Sequence, residues 1–183
     1  MNRTAFALLF AMLPFLPQPA LSQDTWRTPA GEVVPETAAR KAKNGLGVWL
    51  IVTADPDWQA KWDTPSHQTP HISEAQTVST GGRLTILTFV VNPQPDSQNN
   101  LKVLSRITVT RPNGTFSMNA AELPCLKGRL LGSPTNVRLC EAVIQFSADP
   151  EDPPGAWNVD VAVKDVNRNT EVPVHATFTL EGR

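Results

Sequence analysis

The stretch DPPGAWNVDVAVKD, Asp152 to Asp165, decides how this chain is read. Two prolines and a glycine interrupt whatever precedes them. Trp157, Val159, Val161 and Val163 then fall on every second residue, opposed by Asn158, Asp160, Ala162 and Lys164. A period of two puts each set on its own face of a strand, so Trp157 is expected to point into a core. The Pro-Pro-Gly approach reads as a corner that sets the strand's register, rather than as the mouth of a binding site. The acidic residues Asp149, Glu151 and Asp152, with Asp165 as a further candidate, offer hard oxygen ligands to Ca²⁺. They lack the alternating Asp/Asn and Gly of a calcium loop, and a solvated rigid turn is the simpler reading.

The same period recurs on both sides of this stretch. Val172, Val174, Ala176, Phe178 and Leu180 alternate with Glu171, His175, Thr177 and Thr179. Pro173 within that run fits an edge position, because proline cannot donate to a ladder. Cys140, Ala142, Ile144 and Phe146 alternate as well, which places Cys140 on the core face of a strand and leaves Cys125 in a loop beside Pro124. Val103 to Thr110 carries Val103, Ile107 and Val109 on one face. Arg111-Pro112-Asn113-Gly114 then supplies a turn, and Thr115 to Met118 returns as its hairpin partner. Asn113-Gly114-Thr115 matches a glycosylation sequon and is read as part of that turn. Val48 to Thr53 and Leu84 to Val91 are short apolar runs, the second apolar on both faces. About seven strands with no long helical period predict an all-β fold, an antiparallel immunoglobulin-like β-sandwich. One short helical turn is expected near residues 55–62, capped by Asp55, with Trp58 and Trp62 on one face.

The amino-terminal end reads differently. Arg3, an apolar run from Ala5 to Leu16 and the small residues Ala20-Leu21-Ser22 have the layout of a secretory signal peptide, residues 1–22. The run is short of the roughly 20 residues that span a bilayer. No later stretch is long and apolar enough to do so. Residues 23–44 are polar and proline-containing and are expected to be a flexible linker with at most a helical turn at Glu36 to Lys43. The domain proper is expected over residues 45–183. The formal net charge is −1, with 16 basic and 17 acidic residues. Lys and Arg are scattered singly along the sequence, which argues against a nucleic-acid partner and against a polybasic membrane segment. In an exported protein, Cys125 and Cys140 are expected to form one disulfide.

Several of these pieces occur together: Gly45 to Leu50 (GLGVWL), Asp55 to Trp58 (DPDW) with Trp62, Thr110 to Gly114 (TRPNG), and Asp152 to Asp165. The set resembles a family of small exported proteins of Gram-negative bacteria, of unknown function. In that family a T/R-x-P-D/N-G turn and a D-P-x-G-x-Y-x-V-x-V-x-V-x-D strand precede a final strand. The resemblance covers most of Gly45 to Leu180. It implies an exported β-sandwich with a periplasmic address, and it brings no established activity and no catalytic residues. Trp157 stands where the family pattern has Tyr, which removes a hydroxyl and any corner hydrogen bond made through it.

Residues that could carry chemistry are few. No Gly-x-Ser-x-Gly is present, and both cysteines are expected to be bonded, so nucleophilic catalysis has little to work with. His67 and His71 are four apart, but Pro70 between them disfavours a helix. With His175 they are candidates for a loop site for Cu or Zn. Trp58 and Trp62 could stack on a sugar or a peptide, or simply form a lid on the fold. The reading is a periplasmic or secreted, non-enzymatic module without a cofactor, binding an unidentified protein partner in the cell envelope. The alternative is a small-ligand or metal-binding protein using His67, His71 and the Trp58/Trp62 region.

Overall fold

The alternation at the end of the chain is realised as drawn. In the computed structural model, which describes residues 26–27, 31–64 and 70–182, Gly155–Asp165 is a strand whose Trp157, Val159, Val161 and Val163 are all buried. In chain order the elements are β1 (Trp26–Arg27), β2 (Val33–Val34), β3 (Arg40–Lys43), β4 (Leu46–Thr53), α1 (Trp58–Trp62), β5 (Thr77–Ser79), β6 (Arg83–Val91), β7 (Asn100–Thr110), β8 (Phe116–Arg129), β9 (Arg138–Leu139), β10 (Ile144–Ser147), β11 (Gly155–Asp165) and β12 (Thr170–Glu181). The protein is all-β, in two five-stranded sheets and a small β1–β2 pair. The first sheet runs β10-β6-β4-β3, with β9 also paired to β6. The second runs β5-β12-β11-β7-β8. Pairing is antiparallel throughout except for the parallel β5–β12 contact.

The inner faces of the two sheets share one core. Leu46, Val48, Leu50 and Val52 of β4 and Leu84, Ile86 and Val90 of β6 meet Val103, Ile107, Val109, Val159, Val161, Val163, Phe178 and Leu180 of the second sheet. β6 reads as apolar on both faces because both are covered. Its Leu87 and Phe89, with Ile51 of β4, belong to a second cluster on the outer side, against Trp49, Trp58 and Trp62. Central strands buried on both sides lose the polar alternation of a half-exposed strand.

Both sides of the pair of sheets are tied. On one side the Cys125–Cys140 disulfide joins β8 to the segment just after β9. The Cys140 and Glu141 amides donate to the Thr88 and Cys125 carbonyls. On the other side, Leu50 and His175 donate to the carbonyls of Ala39 and Ala38. Ala75 donates to Val52, and Thr179 donates to Gln76. Replacing both cysteines by alanine should lower stability by about 3 kcal/mol, the chain-entropy value for a loop of this size. Urea titrations of the oxidised parent and the double variant check this.

The structure corrects the expected boundaries. The segment expected to be a linker, 23–44, carries strands from Trp26 on. Arg40–Lys43 is a strand paired with β4, not a helical turn. Its polar sequence, RKAK, suits an edge strand because charge there discourages further pairing. Cys125 does not lie in a loop. It sits within β8 at a register slip between Val103 and Leu104, where an extra residue is accommodated as a bulge. Of the strand expected across Cys140 to Phe146, only Ile144 to Phe146 is realised, within β10; residues 140–143 are irregular. Pro173 lies opposite Ala162 of β11, on a stretch of β12 that β5 does not reach. Its missing N–H therefore falls on the open side.

Candidate functional site

The outer face of the first sheet is aromatic. Trp49 of β4 contacts Phe89 of β6, with ring centroids 5.9 Å apart, and Trp62 lies 5.0 Å from the same Phe89. Trp26 adds an edge-on contact to Trp49 at 6.5 Å and donates its indole N–H to the Lys41 carbonyl at 3.1 Å. A Cβ at Gly47 would sit 2.5 Å from Val91 Cγ1 and 3.0 Å from the Trp26 ring, so this position favours glycine. The Arg40 guanidinium covers Trp49 at 5.6 Å.

Trp58 and Trp62 lie on one side of α1, as their spacing predicts, but their surroundings differ. Trp62 is spent on Phe89. Trp58 lines a cavity of about 210 Å³ with Asp55, Arg83, Thr85 and Gln145. α1 is fixed from its flank rather than from its start. Asp57 precedes the helix without a side-chain cap. Asp55, expected as the cap, instead accepts Lys61 Nζ at 2.7 Å and the Ser73 amide at 2.9 Å. The Lys61 ammonium, then the Ser73 amide, hold the Asp55 carboxyl below the usual carboxylate range. A carboxylate depressed in this way stabilises the fold above its unfolded value, and that contribution is lost as pH falls through the acid range.

His67 lies outside the described residues, and His71 is exposed. His175 is occupied on both ring nitrogens. Nδ1 is 2.9 Å from Asp160 Oδ1 and Nε2 is 3.1 Å from Thr177 Oγ1, while the Thr177 hydroxyl donates to Asn158 Oδ1 at 3.2 Å. These four residues form a polar ladder across β11 and β12 on the outer face of the second sheet. The order carboxylate, imidazole, hydroxyl resembles a catalytic relay, but the hydroxyl proton is directed at Asn158 rather than at the ring. Among the described residues no group of three or more His, Cys, Asp or Glu is placed to hold a metal ion.

The acidic approach to β11 is also engaged. Asp152 accepts the Asp149 amide at 3.1 Å and faces Arg111 at 3.9 Å. Asp165 lies at the far end of β11, roughly 30 Å away at the strand's rise per residue, and cannot share a site with them. At the corner itself, Trp157 donates its indole N–H to the Pro153 carbonyl at 3.1 Å.

No protein-family model and no curated protein matches this chain. Among solved structures, it is similar to an alkylpurine DNA glycosylase of Pseudomonas fluorescens at 12% identity and a TM-score of 0.37, over 58% of this chain and 28% of that one. A family 123 glycoside hydrolase from Clostridium perfringens gives 10% identity and 0.41, over 74% and 27%. A CARDB domain from Pyrococcus furiosus, solved with di-metal ions, gives 11% and 0.37, over 73% and 89%. The chain thus spans less than a third of the length of the first two. Scores and identities this low bear on neither ancestry nor activity.

Proposed function

We propose that this chain is an exported immunoglobulin-like β-sandwich that works without catalysis, as an interaction or accessory module in the cell envelope of a Gram-negative bacterium. The signal-peptide layout of residues 1–22 and the disulfide between the sheets support that setting. The observation that carries the reading is the half-open row of indoles on the first sheet, ending at Trp58 beside its cavity. Tryptophan is enriched among the residues that dominate binding at protein interfaces. The β8 edge is interrupted by three register slips, which makes strand addition there a poorer route to a partner.

The test is cross-linking of the tagged exported chain to envelope extract, followed by titration of the captured partner against Trp58→Ala. The partner's affinity should fall by at least about tenfold, while the melting temperature changes little because Trp58 is only half-buried. Equal capture by parent and variant would remove the aromatic face from consideration. The cavity beside Trp58 also favours a second reading, a small-ligand-binding protein; the Cu/Zn alternative using His67, His71 and the Trp58/Trp62 region is proposed from sequence spacing alone, since His71 is not among the residues that line this cavity. Calorimetry with Cu²⁺ and Zn²⁺ separates the two, and absence of heat at tens of micromolar protein rules out the metal.

A further inference from the structure

We propose that the cavity beside Trp58 binds a single pyranose ring carrying a carboxylate, a hexuronate. The inference rests on the small-ligand reading of this cavity and names the class of ligand. The protein-binding reading of the aromatic row does not require it.

The floor of the cavity is assembled by register. Thr85 of β6 lies opposite Thr53 of β4 on one side and opposite Gln145 of β10 on the other. Their sequence neighbours Val52, Leu84, Ile86 and Phe146 belong to the core between the sheets, so all three point to the outer face. Three polar residues thus cross three strands side by side, next to the apolar cluster of Ile51, Leu87 and Phe89 on the same face. The wall comes from α1. Trp58 packs against that cluster, stays half-buried and lines the cavity with its remaining surface.

These groups are not equally free. The Thr53 hydroxyl accepts the Asp55 amide at 3.0 Å. Asp55 also lines the cavity, but its Oδ2 accepts both Lys61 Nζ and the Ser73 amide. The Thr85 hydroxyl, the Gln145 amide and the Arg83 guanidinium line the cavity without a hydrogen-bond or ion-pair partner among the described residues. Arg83 is two residues from Thr85 on β6 and so shares its face.

Each feature narrows the occupant. A cavity of about 210 Å³ lies below the roughly 300–1,000 Å³ usual for drug-sized ligands, so it takes one ring. The face of an indole carries the negative side of its quadrupole and attracts the C–H face of a pyranose. A wholly apolar ring would cover the Thr85 hydroxyl and the Gln145 amide without replacing their bonds to water, which is costly. The hydroxyls on a pyranose rim both donate and accept, and so serve both groups. The unpaired guanidinium suits a carboxylate, which it can hold through two parallel N–H donors, and it disfavours a cation. A nucleobase has the flat faces but brings no anion to Arg83.

In NMR titrations of the disulfide-bonded chain, sodium glucuronate or sodium galacturonate should shift the Trp58 indole N–H and the Gln145 side-chain amide. Glucose should bind at least about tenfold more weakly. Arg83→Gln should bring the hexuronate down to the affinity of glucose and remove its salt dependence. Trp58→Ala should weaken both sugars by at least about tenfold. Arg83 is exposed and Trp58 half-buried, so both variants should fold, and their melting temperatures check this. The proposal is overturned if neither hexuronate shifts these signals, if Arg83→Gln binds the hexuronate as tightly as the parent, or if glucose binds equally well. Adenosine separates the inference from the reading beneath it. Adenosine bound at the cavity more tightly than either hexuronate would overturn the hexuronate and keep a small-ligand site. A cavity silent to the hexuronates, glucose and adenosine would overturn both.

Discussion

Trp157→Ala is expected to lower stability by about 3–5 kcal/mol, the range for truncating a large aromatic in a packed core. The side chain is fully buried. It stacks on Phe178, with centroids 6.0 Å apart, and meets Phe146 edge-on at 4.9 Å. Those two phenyl rings also touch each other at 4.8 Å, so the three form a closed cluster and cannot easily collapse into the space left by one. The Arg111 guanidinium covers the indole at 5.6 Å. Trp157→Phe should be milder. It keeps most of the apolar contact and loses the N–H donated to Pro153, a net contribution of about 1 kcal/mol, plus part of the ring volume. Chemical denaturation of both variants checks the order. An unchanged melting temperature for the alanine variant, together with lost binding, would mean that the Pro-Pro-Gly corner is a ligand mouth after all.

That corner was legible because alternation is a local signal. Once Trp157 is placed inward, Val159, Val161 and Val163 follow without any knowledge of the rest of the chain. One more step of the same rule puts Asp165 inward too, a place where a carboxylate is rarely found without partners. The Trp58/Trp62 spacing likewise told which side of a turn they share, but not that Phe89, far along the chain, would take one and leave the other beside a cavity. The polar segment Arg40–Lys43 misled for a related reason. Its strand exists because β4 supplies hydrogen-bond partners and Trp49 a surface for the Arg40 guanidinium, and both are nonlocal. The Thr53–Thr85–Gln145 row is a matter of register alone, fixed where β4 and β10 pair with β6, and no composition or charge count could reveal it.

Asp165→Ala should be about as costly as losing the tryptophan, for a different reason. The carboxylate has no exposed surface and accepts the Gln94 amide at 2.7 Å and the Arg168 amide at 3.2 Å. Arg168 Nε lies 3.7 Å from it. The same guanidinium donates to the Asn44 carbonyl at 2.5 Å and the Asn92 carbonyl at 2.9 Å. One acid and one base therefore hold together the β3–β4 turn, the β6–β7 loop and the β11–β12 turn. The first of these even requires Gly45, whose φ is +82° and whose place could not hold a Cβ beside the Arg168 guanidinium. Removing Asp165 alone leaves a largely buried cation and two amides without their acceptor, and breaking such a pair typically costs about 3–5 kcal/mol. Asp165→Asn keeps the shape but must turn an NH₂ toward a donor, so an intermediate loss is expected, in the range of about 1–3 kcal/mol for an unsatisfied buried group. The decisive comparison is the double variant Asp165→Ala, Arg168→Ala against the two singles. If the groups act as a unit, the double should cost clearly less than the sum of the singles, because removing the second partner no longer strands the first. Strict additivity would mean that the three loops are held by their backbones and that the pair is incidental to the fold.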